Sequence, residues 1–169
     1  RGIVQSKDGH SLLLAHNRVS QHNPTTQPMV FYGFVVSSGV LVLDLENLLA
    51  SSGFGEIHHF AFHPFGDVKT GAGDPGDIRF LRNGGFAACL SGVNEVALGD
   101  GPGGVLTRIP VGRRPVALAE SADGNLLYVA NYFDDTISEV DIAQKTVLRT
   151  LLLNKQRSPE NTVRKGAVL

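Results

Sequence analysis

The sequence PVALAESADGNLLYVANYFDDTISEVDIAQKTVLRTLLL, residues 115–153, decides the fold. It contains four short apolar runs, which begin near Val116, Leu126, Thr136 and Lys145 and are separated by turn residues. Runs of this length that are rich in β-branched residues and joined by turns such as Asp-Gly predict antiparallel strands in a meander. The 3.6-residue period of a helix is absent. Four strands in about forty residues match one blade of a β-propeller.

The turn at the centre of this stretch recurs twice earlier in the chain. Asp8-Gly9 and Asn83-Gly84 hold the position of Asp123-Gly124, and an apolar run follows each pair. Such a repeat predicts a stack of similar units, here the four-stranded antiparallel blades of an all-β propeller. The three predicted blades are residues 1–63, 76–112 and 115–153. The side chains expected in their packing layers are Val4, Leu13, Val42, Ala88, Leu118, Val129 and Val140.

The first predicted blade is longer than the other two because it contains extra loop sequence. A polar loop is expected over residues 18–31, and a turn is expected over residues 48–55. The strand runs expected around them are residues 3–6, 12–16, 34–36, 40–45 and 56–62.

Both ends of the chain add to the prediction. Residues 154–169 are expected to form a polar linker and a short C-terminal helix, because Ser158-Pro159-Glu160 has the pattern of a helix start. Closed propellers usually have four to eight blades, so we expect an incomplete propeller that a longer chain or partner proteins would complete. The apolar residues expected on its uncovered outer faces include Leu12, Leu14, Ile137 and Val140.

Short sequence motifs connect this fold to a family. Leu127-Tyr128-Val129-Ala130-Asn131, followed by residues 135–141 (DTISEVD), resembles the YVTN-type propeller repeat. Residues 109–115 (IPVGRRP) resemble the junction between successive blades of that repeat. The resemblance implies a repeat protein whose blades pack against neighbouring blades or a protein partner.

Two further motifs resemble sequences found in a subgroup of these proteins, in which the propeller is fused to a haem domain. Residues 164–169 (RKGAVL) are similar to the opening helix of a class I cytochrome c domain. Residues 24–27 (PTTQ) resemble a loop of YVTN propellers that are fused to a di-haem cytochrome c peroxidase-like domain. The resemblance implies haem c in a downstream domain, electron transfer, and a periplasmic or extracellular location. The sequence contains no C-x-x-C-H motif, so we expect no haem cofactor in these residues themselves.

Composition argues against several other classes of protein. The net charge is −1, with 15 basic and 16 acidic residues, so no overall field attracts nucleic acid. The apolar runs are too short to span a bilayer. The single cysteine, Cys89, excludes an intramolecular disulfide, and its place inside a predicted strand favours a buried, unreactive thiol.

Candidate ligand-binding residues lie where strands end, because loop ends cluster on one surface of a propeller. His16 and His22 flank the polar loop, and His16 holds the strand-end position that Asn131 holds in the last blade. Arg113 and Arg114 stand at a blade junction, where they could bind an anion. The predicted ligand-binding residues are His16, Arg18, His22, Arg113 and Arg114.

A histidine-rich run, residues 58–63 (HHFAFH), contains the weak candidates for a metal site. On a strand, His59 and His63 share one face but stand about 13 Å apart, which is too far for one metal ion. A helix would bring them together as an i, i+4 pair, but Pro64 argues against a helix. We therefore predict no metal site.

Two functions from different classes fit these observations. No nucleophile can be paired with a base from spacing alone, so no catalytic residue is assigned. The first hypothesis is a non-catalytic propeller segment, a scaffold or binding part that presents loops to a protein partner or a small ligand. The alternative is the propeller part of a periplasmic cytochrome c peroxidase-like redox enzyme whose haem domain lies beyond Leu169.

Overall fold

The computed structural model describes residues 2–50, 60–101 and 103–153. In this part of the chain, twelve strands form three sheets of four strands each. The first sheet contains β1 (Ile3–Gln5), β2 (Ser11–Val19), β3 (Val36–Asp44) and β4 (Phe60–Pro64). The second contains β5 (Pro75–Phe80), β6 (Phe86–Leu90), β7 (Glu95–Gly99) and β8 (Leu106–Pro110). The third contains β9 (Pro115–Glu120), β10 (Leu126–Asn131), β11 (Thr136–Asp141) and β12 (Thr146–Leu152).

Each sheet is an antiparallel meander in which the strands pair in chain order. The prediction of three four-stranded antiparallel meanders is therefore confirmed. Two short helices, α1 (Gln27–Phe31) and α2 (Leu45–Ala50), occur in the described part of the chain, and neither is long and apolar enough to cross a membrane. The predicted C-terminal helix, within residues 154–169, lies outside the described residues.

In the first and third sheets, the turn between the first two strands is closed by a glycine and by a carboxylate, that of Asp8 or Asp123. Gly9 and Gly124 both have a φ of 78°, a backbone region that glycine adopts without strain. Asp123 accepts hydrogen bonds from the Ser121 hydroxyl and from the backbone N–H and side-chain amide of Asn125. These bonds, with that of Ser121 the most important, lower the pKa of Asp123 to about 2.

This turn predicts a specific dependence of stability on acid. The pKa of Asp123 is lower in the folded chain than its ordinary value of 3.8. Its carboxylate therefore stabilises the fold above about pH 4, and this contribution is lost as the pH falls from about 4 to about 2. A titration of the carboxyl groups followed by NMR should give a pKa near 2 for Asp123. Ser121→Ala should move it toward 3.8, and a wild-type value of 3.8 would contradict this account.

The hydrophobic core lies between the sheets. β5 contacts β1 and β2, and β9 contacts β5 and β6, so the sheets stack face to face with their first strands adjacent. One apolar cluster lies between the first and second sheets, and another lies between the second and third. The predicted packing residues that are buried are Leu13, Ala88, Leu118, Val129 and Val140, and Val4 and Val42 pack partly buried against the first cluster.

Several predicted boundaries and one predicted face are wrong. β3 is a single strand, because its pairing with β2 continues through residues 37–39, where the sequence predicts a break. The turn expected at residues 48–55 is preceded and partly replaced by α2. β4 extends to Pro64, which an edge strand tolerates because the missing N–H faces away from the sheet. Val140, expected on an outer face, lies fully buried in the core between the second and third sheets.

Candidate functional site

The connections between strands lie at two opposite ends of the sheets. Because consecutive strands are antiparallel, every second connection lies at the same end. We call one of these ends the loop face; its connections are residues 20–35, 65–74, 91–94, 111–114 and 132–135. The predicted ligand-binding residues His16, Arg18, His22, Arg113 and Arg114 all lie on or beside the loop face.

The first sheet projects farthest at the loop face. Its second and third strands have nine residues each, and the equivalent strands of the other sheets have five or six. Pairing continues past His16 and Gly39 to Val19 and Val36, so the predicted polar loop begins later than expected, and it contains α1. We call residues 17–38 the first hairpin. Its large apolar side chains that are at least half exposed are Val19, Val30, Phe31, Tyr32, Phe34 and Val36.

We call residues 65–74, which connect β4 of the first sheet to β5 of the second, the link. A cavity of about 570 Å³ lies between the first hairpin and the link. This volume is in the ordinary range for a small-molecule site. We call this cavity the groove. Its charged and aromatic lining residues are Arg18, Phe31, Tyr32, Phe34, Phe62, Asp67 and Lys69. The lining therefore combines rings from the hairpin and β4 with charged groups from β2 and the link.

Three side chains, those of His16, Arg18 and Phe62, meet at the groove, and Arg18 and Phe62 line it. The guanidinium carbon of Arg18 lies 4.5 Å from the centroid of the Phe62 ring. The His16 ring meets Phe62 edge-on, with 5.6 Å between centroids, and its Nε2 is buried with no hydrogen-bond partner among the described residues. Gly39 allows this arrangement, because a Cβ added there would come within 2.5 Å of Phe62 Cζ. The structure thus brings the predicted residues His16 and Arg18 together on Phe62.

Arg18 differs from the other arginines in the described part of the chain because it has no carboxylate partner. Each of the others forms an ion pair with a nitrogen–oxygen distance between 2.5 and 3.7 Å. These pairs are Arg79–Asp77, Arg82–Glu120, Arg108–Glu95, Arg113–Asp134, Arg114–Asp74 and Arg149–Glu139. Lys69 also has no ion pair within residues 2–50, 60–101 and 103–153. Cations without a local counter-charge attract anions to a cleft.

Arg113 and Arg114 already bind carboxylates at the junctions between sheets. Arg113 donates to both carboxylate oxygens of Asp134 through its backbone N–H and its Nε, each at 2.6 Å. Arg114 pairs with Asp74 and lies over the ring of Phe133, 5.4 Å from its centroid. An anionic ligand at this junction would therefore have to compete with these carboxylates.

The other predicted histidines do not line the groove. His22 is exposed in the connection between β2 and α1. His63 is partly buried in β4 beside Gly103 of the β7–β8 turn, and its strand conformation contradicts the helical i, i+4 alternative there. His59 lies outside the described residues. Within the described ranges, no group of three or more His, Cys, Asp or Glu side chains is arranged to hold a metal ion.

Hydrogen bonds hold the link that forms the second wall of the groove. Arg108 Nη1 and Nη2 donate to the carbonyl oxygens of Thr70 and Gly71 at 2.6 and 3.1 Å. The Ser38 hydroxyl donates to the carbonyl oxygen of Ala72 at 2.7 Å. Because the link is tied to both neighbouring sheets, the groove is largely formed before any ligand binds.

Of the described charged and aromatic residues that line the groove, sequence reasoning named Arg18 and missed the other six: Phe31, Tyr32, Phe34, Phe62, Asp67 and Lys69. Tyr32 and Phe34 carried a usable signal, since closely spaced aromatic residues beside a polar loop are candidates for an exposed binding surface. Phe62 and Lys69 carried no local signal, because they line the same cavity as Arg18 only after β4 and the link have packed against the first hairpin.

Cys89 is fully buried in β6, in the core between the second and third sheets. Burial, with a smaller effect from the charge of Asp77, raises the pKa of its thiol to about 12. At pH 8 we therefore expect iodoacetamide to modify the folded chain at least about a hundredfold more slowly than the unfolded chain. Mass spectrometry after brief labelling, with and without denaturant, measures both rates. Equal rates would contradict the buried thiol.

Comparison with known proteins identifies the fold. No protein-family model matches the chain, and no curated protein matches it. Among solved structures, hydrazine synthase of Kuenenia stuttgartiensis superimposes with a TM-score of 0.66, at 18% identity, over 82% of this chain and 44% of that one. The chain has the β-propeller fold. Its three sheets are propeller blades.

Two further solved structures are similar to these blades. Streptogramin B lyase matches with a TM-score of 0.59 and 15% identity, over 91% of this chain and 40% of that one. Dihydro-haem d1 dehydrogenase NirN matches with a TM-score of 0.59 and 13% identity, over 88% of this chain and 27% of that one. The chain therefore spans less than half the length of each of these structures. At such identities the likeness establishes the fold alone.

Proposed function

We propose that this chain is a non-catalytic part of a β-propeller protein that binds a small ligand in the groove at its loop face. One observation carries the proposal: Arg18 is stacked on Phe62 in a cavity lined by exposed aromatic rings. Every other arginine in the described residues is ion-paired, so Arg18 alone among them keeps a charge available for a ligand.

The aromatic rings supply the apolar part of the binding free energy. Tyr32 is 51% exposed and Phe34 is 56% exposed. Covering such surface contributes about 25 cal/mol for each Å² that leaves water. Because Arg108 and Ser38 already hold the link, little chain ordering opposes binding. A concave, largely formed cavity of this kind favours a small molecule over a flat protein surface.

NMR chemical-shift mapping with a library of small aromatic fragments tests this function. We expect saturable shifts confined to residues 17–38 and 62–72. Tyr32→Ala should abolish them, because it removes a ring from the groove lining. Tyr132→Ala is the matched control, because Tyr132 is a similarly exposed loop-face tyrosine beside Phe133, and it should leave the shifts unchanged. No saturable shift in those ranges, or equal losses in both variants, would overturn the proposal.

A second candidate function is the propeller part of a redox enzyme in the periplasm or outside the cell. It is supported by the fold likeness to hydrazine synthase and dihydro-haem d1 dehydrogenase, and by the resemblance of residues 164–169 to a cytochrome c helix. The chain itself does not fit haem c, because its single cysteine is the buried Cys89. Haem would then belong to another domain. A C-x-x-C-H motif in the gene sequence after Leu169 would support this candidate, and its absence there would contradict it.

A further inference from the structure

We propose that the ligand of the groove is a small aromatic monocarboxylate, an inference that rests on the binding function proposed above. Among the described residues, the charged side chains that line the groove are Arg18, Lys69 and Asp67. Two cations and one carboxylate leave one net positive charge. The lining therefore matches one negative charge on the ligand, and Asp67 opposes a second one.

The guanidinium of Arg18 is well placed to bind a carboxylate. Its carbon lies over the Phe62 ring, 4.5 Å from the ring centroid, and this contact holds the group against one wall of the groove. The five N–H donors lie at the edge of the planar guanidinium, and none of them donates to an acceptor within the described residues. A carboxylate accepts two parallel N–H bonds from such an edge. The ring contact thus holds Arg18 without using its donors.

Lys69 brings a second cation from the opposite wall. It lies in a tight turn of the link, closed by backbone hydrogen bonds between Asp67 and Thr70 with N–O distances of 3.0 and 3.3 Å. Arg108 holds the same turn through the Thr70 carbonyl oxygen. This turn places both Lys69 and Asp67 in the groove lining. One short segment therefore supplies a cation that attracts an anionic ligand and a carboxylate that disfavours a second negative charge on it.

The rings of the first hairpin account for the aromatic body of the ligand. The Tyr32 and Phe34 rings are 6.2 Å apart between centroids and tilted by 39°. Phe31 meets Tyr32 edge-on at 5.3 Å, which supports that ring from the side. A flat ring packed against them covers apolar surface while its carboxylate reaches Arg18, with stacking typically worth about 0.5–1.5 kcal/mol beyond area burial.

Four probes of similar shape and different charge test the proposal on the 169-residue chain. They are 3-phenylpropionate, its neutral amide, 3-phenylpropylamine and phenyl phosphate, with dissociation constants measured by NMR titration. 3-Phenylpropionate should bind at least about tenfold more tightly than each of the other probes, and added salt should weaken its binding. Arg18→Met and Lys69→Met should each weaken its binding about tenfold, or about 1.4 kcal/mol. Asp67→Asn should strengthen it.

Charge-matched controls separate the groove from the overall charge of the chain. Arg79→Met and Lys7→Met remove the same charge away from the loop face and should change the affinity by less than about twofold. If the amide binds as tightly as 3-phenylpropionate, or phenyl phosphate binds more tightly, the monocarboxylate assignment is wrong while the binding function stands. If no probe changes the chemical shifts of residues 17–38 or 62–72, the monocarboxylate assignment and the binding function are both wrong.

Discussion

Phe65→Ala is expected to lower the free energy of unfolding by about 3–5 kcal/mol, because it removes a large buried side chain and leaves a cavity. Phe65 is 2% exposed and belongs to the cluster between the first and second blades. Its backbone N–H donates to the carbonyl oxygen of Ser38 at 2.9 Å, so it also marks where the link leaves β4. The substitution therefore weakens the contact between two blades.

Denaturant unfolding followed by circular dichroism measures this loss. The control is Phe60→Ala, which removes the same side chain from β4 at a site that is 53% exposed. We expect Phe60→Ala to lower the free energy of unfolding by less than about 1 kcal/mol, because the Phe60 side chain buries little apolar surface in the folded chain. Similar losses for the two variants would contradict the placement of Phe65 in the core between blades.

Gly39→Ala is expected to destabilise the chain by about 1–3 kcal/mol, the usual range for overpacking. A Cβ at this position would come within 2.5 Å of both Phe62 Cζ and the carbonyl oxygen of His63. The carbonyl belongs to the paired β4 strand and cannot move without breaking the ladder. The pairing of β3 with β4 and the Phe62 ring must therefore both shift, and Arg18 loses the ring surface over which it lies.

The matched control for Gly39→Ala is Gly73→Ala, since a Cβ at Gly73 meets only Gly92 Cα, at an ordinary contact distance of 3.9 Å, and Gly73 is not among the residues that line the groove. Denaturant unfolding should show a loss of stability for Gly39→Ala and almost none for Gly73→Ala. A fragment that binds the wild-type groove should bind Gly39→Ala at least about fivefold more weakly and Gly73→Ala unchanged, because only the first change displaces Phe62. Wild-type stability and affinity in Gly39→Ala would show that Gly39 does not place Phe62.

Local chemistry was enough to predict the second and third blades. Asn83-Gly84 and Asp123-Gly124 predict turns that the structure contains, with positive φ at both glycines. The alternation of inward-facing and outward-facing residues along the strands beside these turns correctly predicts that Ala88, Leu118 and Val129 face the core. Turns and alternation depend on residues close in sequence, so one chain segment contains the whole signal.

The first blade was predicted less well, because its boundaries depend on pairing partners. Residues 37–39 contain two serines and a glycine, which locally favour a break. They remain in β3 because β2 extends alongside and satisfies their backbone groups. The length of the first hairpin, and with it the depth of the groove, is therefore a tertiary property.

The sequence by itself determined the all-β fold, the blade repeat and the loop-end position of Arg113 and Arg114. It predicted Arg18 in a polar loop, whereas Arg18 lies near the end of β2. Only the tertiary structure decided which of these arginines keeps its charge free. Asp134 reaches Arg113 from 21 positions away along the chain, whereas Arg18 meets the ring of Phe62 instead of a carboxylate. Strand alternation acts between neighbours in sequence. Counter-charges and ring contacts come from distant segments, and only the packed blades bring them together.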